Sequence, residues 1–143
     1  MKLEIENGQI VNCINVLDKL SLKGLKSIYR TRLSKELAKK LDRVGEEQTE
    51  IQKEYFELDE EGKPKVDNKL EHCKDIEGYN ETMNEFIKSK VVIDGGDSRV
   101  MLESVKNSLE ETEEDFSGRD AYAYEYLYSA FEEDGRNEEK SDD

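Results

Sequence analysis

Residues 25–55, LKSIYRTRLSKELAKKLDRVGEEQTEIQKEY, decide the fold class of this chain. Leu25, Tyr29, Leu33, Leu37, Leu41, Val44, Gln48, Ile51 and Tyr55 follow one another at steps of three or four residues. Successive residues of an α-helix turn by about 100°, which puts these side chains on one face and Arg32, Lys35, Lys39 and Arg43 on the opposite one. The spacing predicts one long amphipathic helix, too irregular for a strict heptad. Gly45 costs about 1 kcal/mol relative to alanine inside a helix, so a bend or break would fall there.

Downstream, Glu61, Gly62, Lys63 and Pro64 form a turn signal between Phe56 and Val66, read as a loop tip or a short hairpin. Leu70, Cys73, Ile76, Tyr79, Met83, Phe86 and Ile87 then resume helical spacing. A helix there is expected to pack antiparallel to the long one. Lys90 to Asp94 reads as a short strand, and Asp97 or Ser98 as the cap of a helix bearing Met101, Leu102, Val105 and Leu109. A last helix is expected from Ser117 through Tyr124, Leu127, Tyr128 and Phe131. Upstream, Lys2 to Glu6 alternates like a strand or extended arm, and Asn7 is placed to cap a helix carrying Ile10, Ile14 and Leu17. The expected class is mainly α, an α+β fold with minor short strands: a long antiparallel helical hairpin plus C-terminal helices. Residues 1–134 form one domain in this reading, and residues 135–143 a disordered acidic tail.

Composition narrows the function. The 143 residues carry 36 acids against 22 Lys and Arg, a net charge of −14. Phosphate contacts need basic groups, so this balance argues against direct nucleic-acid binding. No apolar run approaches the length of a membrane span, and Met1–Lys2 leads into alternating charge without the apolar region of a signal peptide. The expectation is a cytoplasmic protein whose Cys13 and Cys73 stay reduced, each serving as a small buried hydrophobe.

The charge is unevenly placed. Residues 1–45 hold ten basic and five acidic residues, a net +5, which leaves −19 for the remainder. From Glu110 onward there are fourteen acids and three bases. Two candidate surfaces follow: a basic helix face (Arg32, Lys35, Lys39, Arg43), and an acidic, tyrosine-rich end. In the latter Tyr122, Tyr124, Tyr126 and Tyr128 alternate. On a helix they spread around the circumference, so some must reach the surface, where tyrosine is an effective contact residue. Tyr122, Glu125 and Tyr126, with Glu113, Glu114 and Asp115, are the candidate partner-binding residues; Tyr124, Tyr128 and Phe131 are expected in the core.

No enzyme, metal or cofactor site is expected. His72, with Glu71 and Cys73, lacks the Cys and His spacing of a zinc site. Asp59 opens a run that fails the calcium-loop pattern at Lys63 and Leu70. Gly95–Gly96 lacks the further glycines and lysine of a phosphate loop. No nucleophile–histidine–acid motif surrounds any serine.

Several stretches resemble a small phage-encoded family of unknown function, DUF1617, found in siphophages of Gram-positive bacteria. They are Ile14 to Leu22 followed by Lys23, Gly24, Leu25, Lys26 and Ser27, then Arg30, Thr31 and Arg32; ELDEEGKPK at 57–65; Val91 to Asp94; and FSGRDAYAYEYL at 116–127. The resemblance implies a viral product acting in a bacterial host cell and transfers no functional residue. Two expectations follow. One is a non-enzymatic inhibitor of a host protein, of anti-defence or anti-CRISPR type, that mimics nucleic acid with its carboxylates. The other is an assembly or chaperone-like protein that binds a phage protein, or a second copy of itself, through the Leu33, Leu37 and Leu41 face of the hairpin.

Overall fold

The computed structural model describes residues 1–94 and 96–141, with side chains as far as Glu132 except that of Asp97. In chain order the elements are β1 (Leu3–Glu6), α1 (Ile10–Lys19), α2 (Leu25–Tyr55), α3 (Ile76–Lys88), β2 (Lys90–Ile93), α4 (Arg99–Glu111) and α5 (Arg119–Ser141). Single 3-10 turns at Asn7–Gln9 and Gly96–Ser98 precede α1 and α4. The architecture is mainly α with one small antiparallel sheet, as the periodicity predicts.

Helix α2 takes in the whole decisive stretch and passes through Gly45 without a break. Its onset follows Gly24, whose φ of 62° is a conformation that glycine adopts without steric cost. Arg30 ties this onset to α1: its guanidinium donates to the carbonyls of Leu17 and Leu20, at 2.9 and 2.6 Å. The Leu17 carbonyl also accepts the Leu20 N–H at 3.2 Å, so the guanidinium adds a second donor at the end of α1, where a cation suits the helix dipole. Leu33 and Leu37 are fully buried and Val44 nearly so, whereas Leu25 at the tip is 65% exposed.

α2 packs against α1 and α4, and α1 packs against α5. Strands β1 and β2 pair antiparallel, with Leu3 opposite Ile93 and Ile5 opposite Val91. These four side chains point into the core, while Glu4, Lys90 and Val92 point away from it, the period-two pattern of a sheet with one covered face. The core draws Ile10, Cys13, Val16 and Leu17 from α1, Leu102, Val105 and Leu109 from α4, and Leu127 and Phe131 from α5. Each full burial of such a side chain contributes about 1.5–3 kcal/mol. Lys19 and Asp120 form an ion pair between α1 and α5.

Beyond Val44 the packing thins. Phe56 is fully buried but lies outside the main core, edge-on to Tyr79 at 4.9 Å. α3 begins beside Tyr55, whose hydroxyl lies 3.0 Å from Thr82 Oγ1. It ends beside the first 3-10 turn, where Asn7 Nδ2 donates to the Phe86 carbonyl. It therefore runs back along α2 as the short arm of an uneven antiparallel hairpin, and buries no residue fully.

Several expected boundaries move. Asn7 does not cap α1, because its side chain is engaged with Phe86; Gln9 occupies the N-cap and makes no side-chain cap bond. The expected helix from Leu70 starts only at Ile76. Asp67 accepts the Glu71 N–H, Leu70 adopts φ 56°, Cys73 bridges to Phe56, and Asp75 then caps α3 by accepting from Gly78. A Cβ at position 78 would overlap the Asp75 carboxylate, so glycine fits this cap. His72, expected on a helix surface, therefore lies in the irregular segment. α5 starts at Arg119, after Gly118 at φ 58°, two residues past Ser117. The tail expected at 135–143 falls on residues whose side chains lie outside the described ones; the α5 backbone is helical as far as Ser141.

Candidate functional site

The acidic candidates sit where α4 ends and α5 has yet to begin. The apolar stripe of α4 (Met101, Leu102, Val105, Leu109) is buried, and Ser108 is buried on the same face. Thr112 closes the helix, and its Oγ1 accepts the Glu114 N–H at 3.1 Å, turning the chain outward. Phe116 brings it back by stacking on Tyr124, with ring centroids 4.8 Å apart. The Tyr124 hydroxyl donates to the Leu109 carbonyl, satisfying a free acceptor at the end of α4. Between these anchors Glu113, Glu114 and Asp115 are all exposed.

These three carboxylates, with Glu111 and Thr112, line one side of a cavity of about 570 Å3; Ser21, Leu22, Lys26 and Ser108 complete it. Lys26 is the one cation in this lining, 3.4 Å from Glu111. Both partners are more than half exposed, so their attraction is worth well under 1 kcal/mol and leaves the wall free to pair elsewhere. Ser108 Oγ is buried and has no hydrogen-bond partner among the described residues. A buried hydroxyl without a partner costs about 1–3 kcal/mol.

The tyrosine candidates separate. Tyr122 is 77% exposed, and Glu125 is exposed one turn further along α5. Tyr126 turns inward. Its hydroxyl accepts the Glu6 N–H at 2.9 Å, where β1 would otherwise leave a free donor, and burial pushes its phenol up to about 12. It is a structural tie between α5 and β1, held by a bond that no sequence pattern announces. Phe131 is buried as expected, while Tyr124 and Tyr128 are half-buried and stack at 6.1 Å. Desolvation, followed by Glu132 and Glu110, raises the Tyr128 phenol as well.

The basic face is exposed throughout. Arg32 lies over the Tyr29 ring at 5.6 Å, Arg43 pairs with Glu47 at 3.5 Å, and Lys39 and Arg43 line a shallow depression with Glu36 and Lys40. Elsewhere, Asp59 serves its own turn, accepting the Glu61 and Lys63 N–H groups at 2.8 and 2.9 Å. The Lys63 bond above all holds its carboxyl below the usual range. Asp67, Glu71 and His72 converge, with ligand atoms within 4.8 Å of one another. Asp67 stands outside the trio of neighbours that the sequence brings to mind, and Cys73 drops out.

Sequence reasoning did not find Ser108, Glu111 or Lys26. A serine within the apolar stripe of α4 was the available signal. None of the described helices is long and apolar enough to cross a membrane.

These features define a mainly helical α+β domain that presents a carboxylate-lined cavity at the end of its body. The chain belongs to the DUF1617 family, proteins of unknown function, whose family model matches residues 1–138. No curated protein and no solved structure matches it.

Proposed function

We propose that this is a non-enzymatic, phage-encoded protein that binds and blocks a basic surface of a protein in the cytoplasm of a bacterial host. A nucleic-acid-binding groove, as on a defence nuclease, is the kind of target that suits it. The observation that carries the reading is the cavity between the α4–α5 loop and the α1–α2 turn, with Glu111, Glu113, Glu114 and Asp115 in its lining. Carboxylates fixed on a short anchored loop offer Arg and Lys the charge and hydrogen-bond acceptors that phosphates would. Tyr122 and Glu125 add exposed contact residues on α5. The alternative, a phage assembly protein that joins copies through the hairpin, has less to draw on: Leu33 and Leu37 are already fully buried in the chain's own core.

The test is capture from host lysate by the intact protein at low and high salt, beside the triple variant E113Q/E114Q/D115N. A partner that is retained at low salt, released at high salt and lost by the triple variant is the expected result. A partner held equally by both forms and indifferent to salt, or no partner at all, would overturn the proposal.

A further inference from the structure

We propose that the segment between Tyr55 and Ile76 binds one divalent transition-metal ion, of zinc's borderline softness, through Asp67, Glu71 and His72. Their ligand atoms lie within 4.8 Å of one another, close enough that rotation of the exposed Glu71 side chain completes a coordination shell. One imidazole and two carboxylates suit zinc rather than calcium or magnesium, which take oxygen ligands throughout. Three protein ligands leave a fourth position to water, and the solvent-open depression that Asp67, Glu71 and His72 line provides access.

Two further observations support a built site. The first is the orientation of the histidine. His72 Nδ1 lies 3.1 Å from Glu57 Oε2, so the ring is held through Nδ1 by a carboxylate outside the trio, and Nε2 is the nitrogen this contact leaves for a metal. A carboxylate behind a histidine in this way is the usual support for a metal-bound imidazole. The second is the backbone. Glu57 N–H donates to the His72 carbonyl at 2.9 Å, and Lys65 N–H to the Glu57 carbonyl at 2.8 Å, so three chain segments are held in register behind the ligands. Lys65 and Lys69 share the depression; both are exposed on flexible stems, free to move aside as a dication adds its charge.

Metal binding would give this region the cross-link that its packing lacks, since Phe56 is its only fully buried side chain among the described residues. The site stands apart from the acidic loop and does not depend on it.

The experiment is calorimetric titration of the chelator-stripped full chain with Zn2+ alone, with spectroscopy of the Co2+ form of the unmodified protein. The expected result is one saturable site per chain, about 10- to 100-fold weaker in Glu57→Gln. Saturable binding is lost in Asp67→Asn and in His72→Asn, each with an unchanged far-ultraviolet spectrum. The Co2+ form shows no thiolate-to-metal charge-transfer band, because Cys73 is not a ligand. Absence of saturable binding, survival of binding in either ligand variant, or a thiolate band would overturn the proposal; the cobalt spectrum decides even if a variant fails to fold.

Discussion

The two halves of α2 pass through different environments. From Leu33 to Val44 the apolar stripe meets α1 and α4, and Leu33 and Leu37 vanish from solvent. From Gln48 to Tyr55 the same periodicity meets α3 and the irregular segment, and Gln48, Ile51 and Tyr55 stay half-buried. One helix thus spans a well-packed body and a thin outer lobe. Periodicity specifies a face, but how much that face stabilises depends on how many elements arrive to cover it.

The two cysteines give the sharpest contrast. Cys13 is fully buried in the body, and desolvation pushes its thiol from 9.0 up to about 12, about a thousandfold less thiolate. Cys73 is half-exposed in the lobe. A thiol reagent under native conditions is expected to modify Cys73 promptly and Cys13 only after denaturation; equal rates would erase the distinction. Core truncation should separate the regions next. Leu37→Ala is expected to lower global stability to urea by about 2–5 kcal/mol. Phe56→Ala should instead open the segment at 57–75 to protease while the main urea transition holds.

Smaller effects test individual joints. Tyr126→Phe leaves the Glu6 N–H without its acceptor and should cost about 1–3 kcal/mol. Because the folded phenol sits above its ordinary value of 10.0, its contribution is complete below about pH 10 and is lost as pH rises toward about 12. Urea midpoints followed across that window should fall more steeply for the native chain than for the variant. Gly45→Ala has open space for its Cβ and should stabilise by about 0.5–1 kcal/mol, since α2 is already continuous there.

Much of this fold was legible because its signals are periodic. The α2 stripe, the alternation at Leu3 and Ile5, and the apolar Val91–Ile93 run each specify an element without tertiary help. The misplaced boundaries share one cause, local side-chain competition for backbone groups. Asp67 and Asp75 capture N–H groups and break the stretch that Leu70, Cys73 and Ile76 would continue as a helix. Asn7 spends its amide on Phe86, 79 residues away, which no local pattern can reveal. The sites divide in the same way. Glu113, Glu114 and Asp115 are legible as a charge run, but their cavity exists only because the end of α4 and the loop after it meet the α1–α2 turn. Counting Cys and His hid the metal candidate, since two of its three ligands are carboxylates and one, Asp67, lies five residues from His72.

Native-state hydrogen exchange tests the division of the molecule most directly. The amides of 57–75 and α3 are expected to exchange through a low-energy local opening, well ahead of those in α1, α4 and the first half of α2, which should exchange only on global unfolding. A single common opening energy from Leu3 to Phe131 would contradict the account: body and lobe would then be one cooperative unit.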